Sequence, residues 1–131
     1  MQTDYPRVNI DGRDYLLICK STDIYEKKGR RFEFGEEIEK QVAVFRYSGK
    51  LYALSNICPH RHQDQIYNGI IRDSMVTCPV HGWTYFLESG KNINQNQGIK
   101  NLEKYEIFEK DGSVFLEIPE FESPRWKDYL E

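Results

Sequence analysis

Two short loops constrain this chain more than anything else in it: Cys58-Pro59-His60 and Cys78-Pro79-Val80-His81, with 17 residues between His60 and Cys78. Each loop offers one soft thiolate and one imidazole to a metal. A donor set split in this way is useful only in a fold that carries two distant loops to one point. The stretch from Asn68 to Thr77 reads as a hairpin that spans the gap and supports both loops. Pro59 and Pro79 stiffen the backbone directly after each thiolate, and Gly82 leaves room where backbone must approach the bound group or the opposite loop. Trp83, Tyr85 and Phe86 then begin an aromatic strand, in which Trp83 reads as a packing residue and Tyr85 can bring a hydroxyl to a sulfur.

The rest of the chain reads as mainly β. Aromatics supply 14% of the 131 residues, and short β-prone runs recur between turn signals. Gln41 to Asn56 holds two apolar strands around Ser48-Gly49, and Lys104 to Ile118 alternates apolar and polar residues on both sides of Asp111-Gly112, a dipeptide suited to a type I′ turn. Tyr15 to Cys19 makes a further strand, with Cys19 as a small buried hydrophobe. Asp23 to Lys40 is crowded with charge and reads as a solvated excursion whose Arg30-Arg31 pair could face an acidic partner. Asn92 to Asn101 reads as a connection. In the tail, Ser123 can cap a short helix with Pro124 in its first turn and Trp126, Tyr129 and Leu130 as one apolar edge. The length suits one core, so a single domain over residues 1–131 is expected.

Composition removes several functional classes. With 18 basic and 21 acidic side chains and a net charge of −3, nothing favours nucleic acid or a polybasic hold on a membrane surface. The longest apolar runs, Tyr15 to Cys19 and Val42 to Phe45, fall far short of the ~20 residues needed to cross a bilayer. The first residues lack a basic start followed by an apolar stretch, so a cytoplasmic location with reduced thiols is expected.

Two thiolates and two imidazoles match a [2Fe-2S] cluster in which the cysteines hold one iron and the histidines the other. Imidazole is neutral where thiolate is charged, so such a cluster is easier to reduce, with potentials of about −150 to +300 mV. A bound imidazole also keeps a second ring nitrogen that can exchange a proton, which couples reduction to pH. The same four donors could close a tetrahedral zinc site. The alternation of C-x-H with C-x-x-H-G-W argues against zinc.

The pairing of Cys58-Pro59-His60 with Cys78-Pro79-Val80-His81-Gly82-Trp83 resembles the two cluster-binding motifs of Rieske proteins. The likeness continues through Leu87, Ser89 and Gly90, then Leu102, Tyr105, Ile107 and the Asp111-Gly112 hairpin, roughly residues 41 to 118. It implies an all-β fold: an antiparallel β-sandwich base domain, a small cluster-binding subdomain of two loops at about residues 56–86, and a tail at about 119–131. It further implies one [2Fe-2S] cluster on Cys58, His60, Cys78 and His81, with Tyr85, Gly82 and Trp83 around it. The function implied is that of a one-electron carrier, a ferredoxin that takes electrons from a flavoprotein reductase and delivers them to an oxygenase or a reductase acceptor without turning over substrate itself. A small subunit of an assimilatory nitrite reductase, or a cluster-based redox sensor, would need the same site. An oxygenase large subunit is not expected, because the sequence ends about 50 residues after His81.

The chain departs from the family pattern at several positions. Rieske subunits of quinol-oxidising membrane complexes brace the two loops with a disulfide, but Val80 stands where the second loop would carry its extra cysteine and none follows His60. Trp83 occupies the place of a serine that donates to cluster sulfur in those proteins, so a potential in the lower part of the Rieske range is expected. Where related ferredoxins and oxygenases often read C-P-H-R-G-A-P-L, this chain reads C-P-H-R-H-Q-D-Q, so His62, Gln63 and Asp64 make that loop more polar. His62 reads as a loop-surface residue, and Asp64, Asp73 and Glu88 as solvated carboxylates. Arg61 and Arg72 are candidates for docking an acidic partner or for ordinary salt bridging. Phe86 replaces a usual Asp, and a proline common in the later connection is missing near Asn96 to Gly98.

Overall fold

A computed structural model describes residues 5–35, 40–58, 63–80, 82–93 and 101–119. Within them lie eleven strands: β1 (Arg7–Ile10), β2 (Arg13–Lys20), β3 (Gly29–Glu33), β4 (Gln41–Tyr47), β5 (Lys50–Ser55), β6 (Ile70–Arg72), β7 (Met75–Thr77), β8 (Thr84–Phe86), β9 (Lys104–Tyr105), β10 (Ile107–Lys110) and β11 (Ser113–Glu117). The strands form three sheets, in the orders β1-β2-β11-β10, β3-β4-β5-β9 and β6-β7-β8. All pairings between named strands are antiparallel. The all-β fold expected from the sequence is the one observed.

The middle sheet positions the site because both of its faces are covered. On one side, Val42 and Val44 of β4 and Leu51 and Ala53 of β5 meet Leu16 and Val114 of the first sheet in one core. On the other side, Ala43, Phe45 and Leu54 join a second core with Cys58, Cys78 and Tyr85. This explains the run Gln41-Val-Ala-Val-Phe45, which is buried at every residue instead of alternating: a strand covered on both faces needs apolar side chains in both directions.

The expected turns form where the residue types allow them. Ser48 and Gly49 (φ 52° and 79°) join β4 to β5, and Asp111 and Gly112 (φ 52° and 79°) join β10 to β11, with both central residues left-handed as a type I′ turn requires. Asp73 and Ser74 (φ 52° and 64°) close the β6-β7 hairpin within the expected Asn68–Thr77 stretch. Three points differ from the sequence reading. Asp11 and Gly12 (φ 52° and 87°) close a further hairpin, β1-β2. The stretch read as a solvated excursion contains β3, and Ile24, Phe32 and Phe34 bury their side chains in the sandwich core. The charged residues of β3 are exposed: Arg30 lies 5.7 Å from the Phe32 ring, and Arg31 pairs with Glu33 and Asp64. Finally, the Lys104–Ile118 alternation is not one hairpin. Lys104–Tyr105 pairs with β5 and Ile107–Lys110 with β11, so the chain changes sheets at Glu106.

Arg46 ties this excursion down, donating from Nε to the Ile24 carbonyl (2.8 Å) and from Nη2 to the Ser21 carbonyl (2.9 Å) and Glu109 Oε1 (2.6 Å). Cys19 is half-buried, and burial followed by the charge of Asp23 pushes its thiol up to about 11, which fits the structural role read from its strand. The helix expected from Ser123 and Pro124 lies outside the described residues, as does the Asn96–Gly98 connection.

Candidate metal centre

Cys58 follows β5 after Asn56 and Ile57, and Cys78 directly follows β7. The two loops close in the same way. The Cys58 N–H donates to the Gln63 carbonyl (2.9 Å), and the Cys78 N–H donates to the Trp83 carbonyl (2.8 Å). Each thiol thus heads a loop that returns five residues later. His60 falls inside the first closure by sequence and His81 inside the second; both histidines, with Pro59, Arg61 and His62, lie outside the described residues. The second loop needs Gly82, whose N–H donates to the Cys78 carbonyl (3.0 Å) at φ 76°, a left-handed conformation that costs glycine little. Among the described residues, an added Cβ there would meet nothing within 4 Å, so its visible contribution is conformational.

Both thiols are buried, at 0% and 1% exposure, in the same apolar cluster as Phe45, Leu54, Ile66, Val76 and Leu87. None of the three cysteines is in a disulfide. The Tyr85 hydroxyl lies 3.8 Å from Cys58 Sγ. Burial first, then the charge of Cys58, pushes that hydroxyl far above the ordinary tyrosine range, and the charge of Cys78 adds to the effect. The phenol therefore stays protonated and can donate to sulfur. Trp83 is partly buried and packs on the same cluster, as its packing assignment required. Two soft donors without a disulfide, buried in one apolar cluster beside a protonated phenol, fit the thiolate half of an iron–sulfur site.

The two loops are supported differently. The Cys78 loop continues the β7-β8 ladder, and Thr77 and Thr84 join across its mouth through their hydroxyls at 2.8 Å. The Cys58 loop is held by side chains, among them Asp64, which in the sequence reads as a solvated carboxylate. Asn56, fully buried, donates from Nδ2 to Gln41 Oε1 (2.8 Å) and to the Asp64 carbonyl (2.9 Å), while its Oδ1 accepts from the Tyr67 N–H (2.8 Å). Asp64 is therefore no free surface carboxylate: its Oδ2 accepts from Arg31 Nη1 (3.2 Å) and Gln41 Nε2 (3.4 Å). The only sequence signal was two amides, Gln41 and Asn56, bracketing strands otherwise rich in apolar residues.

The remaining candidates sit at the edges. Asp73 occupies the β6-β7 turn, and Arg72 and Glu88 are exposed. Val80 and Phe86 present 39% and 43% of their surface, which places apolar area beside the Cys78 loop.

Comparison with known proteins agrees with this geometry. A family model described as the Rieske [2Fe-2S] domain matches residues 14–106. The ferredoxin component of an alkene monooxygenase system from Xanthobacter autotrophicus is 26% identical over 94 residues, covering 72% of this chain and 75% of that protein. The ferredoxin subunit of a 3-phenylpropionate/cinnamic acid dioxygenase from Escherichia coli K12 is 26% identical over 105 residues, covering 80% and 94%. Among solved structures, one assigned as an NADH-dependent nitrite reductase small subunit from Mycobacterium tuberculosis superposes with a TM-score of 0.69 at 19% identity, covering 85% of this chain and 95% of that one. At that identity the likeness is one of fold.

Proposed function

Because this chain belongs to the Rieske [2Fe-2S] domain family, we propose that it is a ferredoxin-type one-electron carrier, with Cys58 and Cys78 on one iron of its cluster and His60 and His81 on the other. The observation that carries the ligand reading is the pair of buried thiols on matching self-closed loops, sharing one apolar cluster with Tyr85, whose hydroxyl lies beside Cys58. When bound, the cluster supplies reversible one-electron transfer. The chain's own residues exclude water from the sulfurs, hold the loops, and offer one hydroxyl donor to Cys58. Trp83, standing where a serine would donate to cluster sulfur, sets the potential in the lower part of the Rieske range.

The partners are a flavoprotein reductase as donor and an oxygenase as acceptor; the acceptor is supported by relatives named as ferredoxin components of a monooxygenase and of a dioxygenase. The chain acts as a single domain over residues 1–131, with the cluster-binding subdomain at about 56–86. It works in the cytoplasm; no helix among the described residues is long and apolar enough to cross a membrane. A second reading, the small subunit of an assimilatory nitrite reductase, needs the same site, and the Mycobacterium tuberculosis chain shares the fold.

Aerobic purification, metal and sulfide analysis, and absorption and electron paramagnetic resonance spectra before and after dithionite test the site. A red-brown protein with two irons per chain and a rhombic signal on reduction is expected. A colourless protein with one zinc would overturn it. Transfer to an oxygenase in a reconstituted assay supports the carrier; stable co-purification with a large reductase subunit would favour the second reading.

A further inference from the structure

We propose that Asp64, gripped by Arg31 and Gln41 and backed by the buried Asn56, is a positioning residue that fixes the Cys58 loop to the base sheets and sets how long the cluster is retained. The inference rests on the reading of Cys58 as a ligand. Two rungs pin the loop at its mouth: Cys58 N–H to the Gln63 carbonyl and, one step further out, Asn56 Nδ2 to the Asp64 carbonyl, both 2.9 Å. These rungs alone would leave the loop hinged about the end of β5. The Asp64 side chain removes that freedom by reaching Arg31 on β3 and Gln41 on β4.

Those anchors are themselves held. Glu33 and Gln41 are paired in the β3-β4 ladder, and Arg31 faces Ala43. The Arg31 guanidinium also lies 5.3 Å from the Tyr67 ring, while the Tyr67 N–H donates to Asn56. The clamp is a closed circuit through β3, β4, the end of β5 and the Ile66–Asn68 turn. Asp64 is 23% exposed and Arg31 38%, so the pair is partly shielded from water and its charge-assisted bonds are stronger than those of a fully exposed pair. No disulfide braces Cys58; the circuit instead ties the residues on either side of its loop, Asn56 and Asp64, to β3 and β4.

The test uses the cluster-loaded protein. Bleaching of the visible absorption in excess chelator gives cluster retention, the reduced-state resonance spectrum gives ligand geometry, and amide hydrogen exchange at Cys58 gives loop closure. Asp64→Ala and Arg31→Met should each speed bleaching about tenfold, a factor within the range of one lost charge-assisted hydrogen bond. Both should also shift the spectrum and speed exchange at Cys58, while Arg31→Lys restores most of each. Arg13→Gln, which removes the exposed Arg13–Glu106 pair, should change none of the three. Unchanged bleaching and exchange in the two clamp variants, or an equal effect from Arg13→Gln, would overturn the proposal. If the wild-type protein carries no [2Fe-2S] cluster, the ligand reading has failed. Cys58 exchange then decides the clamp alone: faster in Asp64→Ala keeps it, unchanged ends it.

Discussion

The Cys58 and Cys78 loops share one closure, an N–H returning to a carbonyl five residues on, but different structures stand behind it. Behind Cys78 is a β-ladder: β7 and β8 pair on either side and the Thr77–Thr84 hydroxyls meet across the mouth. Behind Cys58, among the described residues, no strand partner follows. Its loop leaves β5 and is held by the side chains of Asn56, Gln41, Asp64 and Arg31. A backbone ladder tolerates many side chains, whereas a side-chain clamp depends on a few named residues. The first loop should therefore be much more sensitive to single substitutions than the second.

The largest expected effect is Asn56→Ala. It removes three side-chain hydrogen bonds and leaves Gln41 Oε1 and the Tyr67 N–H short of a partner, at a cost of about 3 kcal/mol; denaturant unfolding of the wild type and the variant measures it. A loss below about 1 kcal/mol would mean that the clamp is slack and the comparison wrong. Next comes Gly29→Ala, on the same side. A Cβ there would lie 2.3 Å from the Tyr67 carbonyl and 2.6 Å from the Phe45 ring, so β3 and the Ile66–Asn68 turn must separate, costing about 2 kcal/mol by overpacking. Thermal unfolding should show it, with faster amide exchange at Tyr67 than at Val76.

The matching cut on the second loop is smaller. Thr77→Val removes one hydroxyl pair but keeps the β7-β8 ladder, so a loss of about 1 kcal/mol is expected by the same unfolding assay. A loss equal to that of Asn56→Ala would erase the distinction between the loops. The smallest effect concerns Cys19, the thiol outside both loops. Because its pKa is raised to about 11, it is almost wholly the unreactive thiol at pH 8 and becomes reactive only as the pH rises towards that value. Alkylation followed by mass spectrometry should find Cys19 far slower than a free model thiol at pH 8, with the rate climbing steadily up to about pH 11.

The parts of this architecture that could be read in advance depend on neighbouring residues. Ser48-Gly49 and Asp111-Gly112 announce left-handed turns, Gln41 to Asn56 announces two apolar strands, and each Cys-Pro pair announces a ligand loop. Asp11-Gly12 carries the same turn signal, but the charged Arg13 and Asp14 that follow obscure the strand it opens. In β3, charged Arg30, Arg31 and Glu33 outnumber Phe32, so a half-buried strand looked like a solvated loop. Glu106 interrupts an alternation that runs on past it, and no local pattern marks the point where a strand leaves one sheet for another.

The amino-acid order was enough to specify the donor types, their spacing and the turns that bring each loop back on itself, because those depend on residues within a few positions of one another. It was not enough to reveal what braces Cys58. Asn56 and Gln41 are 15 residues apart, Asp64 and Arg31 are 33 apart, and they meet only because β3, β4 and β5 pair in one register. Hydrogen bonds over such separations follow from sheet pairing, which is selected by burial across the whole chain, and so Asp64 changes from an ordinary surface carboxylate into a clamp only once the strands are assembled.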